Sequence, residues 1–144
     1  MKQLKIKEIE RKQQHKYIME ERRILEKANH PFIVSMAYAF KTSTKLTFVL
    51  DYCPGGELFF YLQQVRRFKE DAALFYSANI CVAIEYLHKI NVIYRDLKPE
   101  NILVGRDGYL KIADFGLSRS DISEQMYGAT SIVGTAEYLA PEVL

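Results

Sequence analysis

Residues 94–101 read Tyr-Arg-Asp-Leu-Lys-Pro-Glu-Asn, and the interpretation of the whole chain depends on this stretch. Asp114-Phe115-Gly116 follows 13 residues after Asn101, and residues 134–142 read Gly-Thr-Ala-Glu-Tyr-Leu-Ala-Pro-Glu. A lone Asp-Phe-Gly is an ordinary turn sequence and by itself predicts little. The three stretches in this order, with an Asn five residues after Asp96, form a specific signal.

The side chains in these stretches are those that phosphoryl transfer requires. That reaction needs a carboxylate to position and deprotonate a hydroxyl, oxygen ligands for Mg²⁺, and a cation against the transferring phosphate. The stretch that contains Asp96, Lys98 and Asn101 supplies most of these groups within eight residues.

Hydrophobic patterning predicts the elements on both sides of this stretch. Near-helical spacing predicts a helix over about residues 13–27, which His30-Pro31 ends. β-branched and aromatic residues predict strands over 32–40 and 45–52. Downstream we predict a short helix from about Glu57, a longer helix over about 69–88, a hairpin of strands Ile102–Val104 and Leu110–Ile112, and a mobile loop over 121–130.

Composition places the chain among globular proteins with near-balanced charge. It has 144 residues, of which 49% are hydrophobic and 26% are charged, and its net charge of +2 does not indicate a nucleic-acid partner. Residues 1–27 hold nine basic and five acidic side chains, which fits either a membrane-surface or partner helix or an exposed helix with solvated charges. Cys53 and Cys81 read as free thiols of a reducing compartment. With no apolar run of 18 residues, we expect a protein of the cytoplasm or nucleus without a membrane span.

The three stretches resemble H-R-D-L-x-x-x-N (with Tyr94 at the His position), D-F-G and A-P-E of the protein kinase family. The resemblance implies an α+β, two-lobed fold that is truncated at both ends. Residues 1–52 would form a remnant of the small antiparallel lobe and the hinge, and residues 53–144 the large lobe through the activation segment. Because the chain contains no G-x-G-x-x-G loop, we expect these residues alone to be inactive.

The resemblance also assigns roles at the reaction centre. Asp96 would be the base that accepts the proton of a substrate hydroxyl, and Lys98 would neutralise the γ-phosphate of ATP, as in Ser/Thr rather than Tyr kinases. Asn101 and Asp114 would hold Mg²⁺, and Thr135 would bond to Asp96 and Lys98. The side chains of Phe115, Tyr94, Leu25 and Met36 resemble the hydrophobic spine that links the lobes of these enzymes.

The nucleotide site implied by the resemblance begins at Lys2, which matches the last residue of V-A-I-K. Its partner in the related enzymes lies 19 residues later on a helix, which is Glu21 in this chain. Leu50 would be the gatekeeper, and the hinge residues from Asp51 to Cys53 would meet adenine. Glu57 and Leu103 complete the set of residues that the resemblance assigns to ATP binding.

Residues 54–58, Pro-Gly-Gly-Glu-Leu, and the Tyr-Arg-Asp variant of the catalytic motif resemble the AGC group. That group contains the cyclic-nucleotide-dependent kinases, protein kinase C and the ribosomal S6 kinases. Glu57 and Glu100 are then either receptors for substrate arginines or solvated surface acids. The resemblance favours the first interpretation and therefore a basic peptide substrate.

Ser131 lies where AGC kinases carry an activating phosphate, which an upstream kinase adds. Arg95 and Arg119 would grip that phosphate, because arginine forks pair bidentately with its oxygens. Two features depart from the family pattern. Ala136 replaces the proline common after Gly-Thr, and the loop between Gly116 and Gly134 is slightly longer than in the cyclic-AMP-dependent kinase.

Three functional hypotheses follow. The first is a protein Ser/Thr kinase that transfers the γ-phosphate of ATP to basic peptides and is activated by phosphorylation of its activation loop. The second is a naturally short, non-catalytic protein that binds kinase partners or substrates. The third, a small-molecule phosphotransferase, is disfavoured by Lys98-Pro99-Glu100 and by residues 134–142, which resemble the peptide platform of protein kinases.

Overall fold

The small lobe is built on a three-stranded antiparallel sheet. The computed structural model describes residues 1–120 and 133–143. Strands β1 (Lys2–Lys5), β2 (Met36–Lys41) and β3 (Lys45–Leu50) lie in the order β1-β3-β2. Phe48 of the central strand pairs with Lys2 and is fully buried, so the sheet fixes the position of Lys2.

Two helices pack beside this sheet. Helix α1 (Ile6–Arg11) is short and was not predicted, whereas α2 (His15–Lys27) agrees with the predicted helix to within two residues. Ile9 and Ile18 form a buried cluster with Phe48. The apolar face of α2 is thereby held against the sheet, and Glu20 and Glu21 lie near the middle of the helix.

The prediction that a strand begins at residue 32 was wrong, because β2 begins at Met36. The preceding residues form backbone hydrogen bonds to the large lobe instead: Ile112 donates to the Phe32 carbonyl at 2.9 Å, and Val34 donates to the Ile112 carbonyl at 3.0 Å. The β-branched residues that suggested a strand therefore pair with another element. The second predicted strand also ends two residues early, at Leu50.

Within the described residues, the large lobe contains two α-helices, a hairpin and short 3-10 helices. Helix α3 (Leu58–Val65) and helix α4 (Glu70–Lys89) lie where the sequence predicts them. Strands β4 (Ile102–Val104) and β5 (Leu110–Ile112) pair antiparallel with the predicted bounds. Leu58, Ile102 and Leu110 bury this hairpin against the helices. The predicted loop over residues 121–130 lies outside the described residues.

A buried core joins the two lobes. Ile24 and Leu25 of α2 pack in the same cluster as Leu87 of α4, Tyr94 and Phe115. Met36 is partly buried against that cluster, so the four residues of the predicted spine lie together. Burial of each large apolar side chain contributes roughly 1.5–3 kcal/mol, and here that contribution also fixes the orientation of the lobes.

Two further sequence expectations concern the surroundings of the chain. Cys53 is partly buried and Cys81 is exposed, and both are free thiols. Among the helices in the described part of the chain, none combines the length and the apolar character that crossing a bilayer requires.

Candidate active site

The backbone around the Asp96 stretch is held in an unusual conformation. Arg95 and Asp114 have φ values of 66° and 53°, which lie in the left-handed region and cost about 1–3 kcal/mol each. Ile93 and Arg119 exchange two backbone hydrogen bonds of 2.9 Å. This bridge holds the Asp96 stretch next to the segment that follows Asp114, which compensates for part of the strain.

The Asp96 carboxylate is surrounded by donors. The Thr135 hydroxyl donates to Oδ1 at 2.8 Å, and Asn101 Nδ2 donates to Oδ2 at 2.7 Å. Lys98 Nζ lies 3.1 Å from the same Oδ2 and also donates to Thr135 Oγ1 at 2.7 Å. The structure therefore brings together four of the five side chains that the resemblance placed at the reaction centre. The fifth, Asp114, lies beside Lys2.

These donors control the charge of Asp96. Burial alone would raise its pKa, but hydrogen bonds from Thr135, Lys98 and Asn101 outweigh burial and lower the pKa. The carboxylate is consequently ionised at neutral pH and can accept a hydrogen bond from a hydroxyl.

Asp114 and Asn101 provide oxygen atoms of the kind that Mg²⁺ prefers. No group of three or more His, Cys, Asp or Glu side chains within the described residues has the arrangement of a metal cage. Mg²⁺ is usually held by one or two carboxylates together with substrate phosphates and water, so one carboxylate and one amide fit the ion. The 55% exposed side chain of Asp114 leaves its carboxylate accessible.

Lys2 lies beside this carboxylate. Its Nζ atom is 2.6 Å from Glu21 Oε1 and 3.1 Å from Asp114 Oδ1. Burial would lower the pKa of Lys2, but Glu21 and Asp114 outweigh burial and raise it. Strand β1, helix α2 and the Asp114 turn thus converge on one ammonium group.

The predicted adenine-binding residues lie along the connection between the lobes. Leu50 ends β3 and packs against the shared core. The Asp51 carboxylate accepts a hydrogen bond from Lys111 Nζ at 2.9 Å, and the Asp51 backbone N–H donates to the Ser35 carbonyl at 2.9 Å. Burial raises the pKa of the Cys53 thiol. Leu103 bridges Glu57 through the backbone, which places both beside this connection.

The predicted phosphate-binding arginines line a separate cavity. A cavity of about 400 Å³ is bordered by Arg95 and Arg119, and also by Lys16 and Arg23 of α2. The Arg95 side chain is oriented by a 2.8 Å hydrogen bond from Nε to the Leu117 carbonyl. Ser131, the predicted site of the phosphate, lies outside the described residues.

Two contacts near the site were missed by sequence reasoning. The Tyr94 hydroxyl donates to the Ala113 carbonyl, and Ser120 donates to the Glu20 carboxylate. Burial raises the pKa of Tyr94 far above its usual value, so the hydroxyl stays a donor. The Ser120–Glu20 partners lie 100 positions apart, and no local pattern marks such a pair.

Comparison with known proteins gives a consistent match. Residues 1–144 match the family model described as "Protein kinase domain". Serine/threonine-protein kinase Sgk1 of Fundulus heteroclitus is 52% identical over 146 aligned positions, which cover 100% of this chain and 33% of that protein. Serine/threonine-protein kinase Sgk2 of Homo sapiens is 51% identical over 145 positions, which cover 100% of this chain and 39% of that protein. The chain therefore spans about a third of the length of the curated relatives it matches.

Proposed function

The chain belongs to the protein kinase family, and from this premise we propose that the protein transfers the γ-phosphate of ATP to serine or threonine side chains of proteins. The observation that carries the proposal is the Asp96 carboxylate, which is ionised, only 11% exposed, and linked to Lys98 through Thr135. Positioning and electrostatic stabilisation account for most of the catalysis in phosphoryl transfer. This cluster offers both.

Asp96 would accept a hydrogen bond from the substrate hydroxyl and take up its proton. The hydroxyl oxygen would bond to the γ-phosphorus of ATP while the bond from that phosphorus to the β–γ bridging oxygen breaks and ADP leaves. The ion pair with Lys98 holds the carboxylate in one rotamer, and Lys98 also presents a positive charge to the transferring group. Asn101 and Asp114 would hold Mg²⁺ together with phosphate oxygens, and the ion would neutralise charge that develops on them. Thr135 is bonded to both Asp96 and Lys98 and would hold the two side chains in a fixed relative position.

ATP would lie between the lobes. Lys2 would pair with the α- and β-phosphates, since Glu21 fixes its ammonium group next to Asp114. Leu50 and the backbone from Asp51 to Cys53 would contact adenine, with Leu103 on the large-lobe side.

Glu100 and Glu57 support a preference for arginine in the substrate. The Glu100 Oε2 atom is buried and has no hydrogen-bond partner among the described residues, and a buried oxygen without a partner is costly. A substrate guanidinium would satisfy it. Glu57 is exposed and would contribute less.

Arg95 and Arg119 would bind a phosphate on Ser131, added by an upstream kinase. The cationic cavity that they share with α2 supports this proposal, because a phosphate carries roughly −1.5 to −2 charges. Binding there would connect the activation segment to the helix that carries Glu21.

Phosphate transfer from labelled ATP to a basic peptide, measured with the full-length protein, tests the proposal. We expect transfer that Asp96→Asn lowers by about 100-fold or more, because the isosteric amide cannot accept the proton. Asp71→Asn, at an exposed position in the first turn of α4, is the matched control and should keep full activity. If the wild-type protein binds ATP but transfers nothing to any peptide, the non-catalytic binding protein becomes the better hypothesis.

A further inference from the structure

A contact that lies outside the reaction centre joins helix α2 to the segment that follows Asp114. The Ser120 backbone N–H donates to Glu20 Oε1 at 2.7 Å, and the Ser120 hydroxyl donates to the same oxygen. Ser120 is only 8% exposed. Hydrogen bonds to an ionised oxygen are roughly twice as strong as neutral ones, so this contact can hold the helix in place.

Glu20 also lies in the cationic cavity. Among the described residues, the cavity is bordered by four cations, Lys16, Arg23, Arg95 and Arg119, and by the carboxylate of Glu20. Burial lowers the pKa of Arg95, Arg119 lowers it further, and Glu20 acts in the opposite direction. The carboxylate therefore already neutralises part of the charge that would attract a phosphate.

The contact connects two parts of the reaction centre. On one side, Glu21 is the neighbour of Glu20 and forms the 2.6 Å ion pair with Lys2. On the other side, Arg119 precedes Ser120 and pairs through its backbone with Ile93, three residues before Asp96. The Glu20–Ser120 bonds thus link the Lys2 ion pair to the Asp96 stretch.

We propose that Glu20 is an internal anion that positions helix α2 for phosphotransfer. It holds α2 on Ser120 before any phosphate enters the cationic cavity, and it competes with a bound phosphate for the same cations. The kinetic consequence rests on the proposed function, whereas the effect on anion binding does not.

Steady-state kinetics of the full-length protein after phosphatase treatment test the positioning role. We expect Glu20→Ala to lower kcat about tenfold through the loss of both charge-assisted bonds, with the KM for the peptide unchanged. Adding Ser120→Ala to Glu20→Ala should cause little further loss, because the two side chains act through one contact. The single variant Ser120→Thr keeps both donors and should retain the wild-type rate. A kcat for Glu20→Ala equal to that of the control Glu26→Ala, which lies exposed on the same helix, would overturn the proposal, as would fully additive losses.

Titration with inorganic phosphate, followed by calorimetry, tests the anion role without any activity. Because Glu20→Gln removes a negative charge beside the binding cations, we expect phosphate to bind at least about fivefold more tightly than to wild-type protein. Glu26→Gln should bind phosphate as the wild type does. Equal affinity in wild type and Glu20→Gln would refute the internal anion even if kinase activity is present. Conversely, a protein that phosphorylates no peptide but shows the tighter binding refutes the proposed function and keeps this inference.

Discussion

Lys2 Nζ lies 2.6 Å from Glu21 Oε1, so that the first strand and the second helix of the chain meet through a partly buried ion pair. The Glu21 side chain is only 3% exposed, and that of Lys2 is 31% exposed. The attraction between them is weakly screened by water for this reason. The pair contributes to stability, and we propose that it also contributes to nucleotide binding; the two roles can be tested separately.

Lys2→Met should lower kcat/KM for ATP about 100-fold, because a preorganised cation near the phosphates is lost. It should also lower the free energy of unfolding by roughly 3 kcal/mol, since Glu21 would keep a buried charge without its partner. The double variant Lys2→Met with Glu21→Gln should recover most of the stability and none of the activity. Denaturant unfolding and steady-state kinetics measure the two effects.

Lys5→Met is the matched control for this prediction. It removes an exposed ammonium group from the same strand, whose ion pair with Glu8 is on the surface and worth little. A similar loss of activity in Lys5→Met and Lys2→Met would contradict the assignment of Lys2 to the nucleotide.

The Thr135 hydroxyl offers a second test, because it donates to Asp96 and accepts from Lys98. Thr135→Val keeps the shape and removes both hydrogen bonds, and we expect kcat to fall about tenfold to 100-fold through misplacement of the two reacting side chains. Thr135→Ser keeps the hydroxyl and should remain close to wild type. If valine and serine behave alike in kinetic assays, the hydroxyl does not align the pair.

Specificity for arginine can be tested at Glu100 and Glu57. Glu100→Gln should lower kcat/KM for arginine-containing peptides at least about tenfold, because a buried charge pair would be lost. Glu57→Gln should have a smaller effect, because its carboxylate is exposed to water and ions.

A peptide with norleucine in place of each arginine provides the comparison. The Glu100 and Glu57 variants should process it as the wild type does, and Glu70→Gln, at an exposed site on α4, should leave both peptides unaffected. Equal losses on both peptides would point to damage at the reaction centre and against arginine recognition.

His30 should make stability depend on pH. Its Nδ1 accepts a hydrogen bond from the Phe32 N–H at 3.2 Å, and its ring stacks on Tyr86. Burial lowers the pKa of His30, so the folded state favours the neutral ring. The stabilisation is complete above the unfolded-state pKa of about 6.5 and is lost as the pH falls through the range between the two pKa values.

Urea unfolding at several pH values between 5 and 8 measures this effect. The difference in unfolding free energy between wild type and His30→Gln should shrink as the pH falls, whereas exposed His88→Gln should track the wild type. A constant difference across the range would show that His30 does not titrate differently in the two states.

Local sequence patterns predicted most of the elements but few of the contacts between distant residues. The hairpin of Ile102–Val104 and Leu110–Ile112 was predicted to the residue, because turn residues separate two short apolar runs. Helix α1 escaped prediction, since six residues with only Ile6 and Ile9 as apolar positions give no clear period. The start of β2 was misplaced because β-branched residues favour extended backbone without specifying the partner strand.

In the candidate site, too, some contacts were predicted and others were not. The pairing of Lys2 with Glu21, 19 residues later, was predicted from the family resemblance, and the structure places the two side chains in contact. The bond between Ser120 and Glu20 could not, because it depends on how the lobes and the Asp114 segment fold together. Lys111 and Asp51, 60 positions apart, are a further example.

The backbone hydrogen bonds of Ile112 limit how much the length of the connection between α2 and β2 can vary among related chains. The Ile112 N–H bonds to Phe32 and its carbonyl accepts from Val34, while its side chain is buried two positions before Asp114. Loops usually tolerate insertions and deletions because their backbone is free to move. The connection between α2 and β2 lacks that freedom, since a change in its length would shift the carboxylate of Asp114, which we propose as a Mg²⁺ ligand. Among relatives, its length should therefore be held constant while its exposed residues drift.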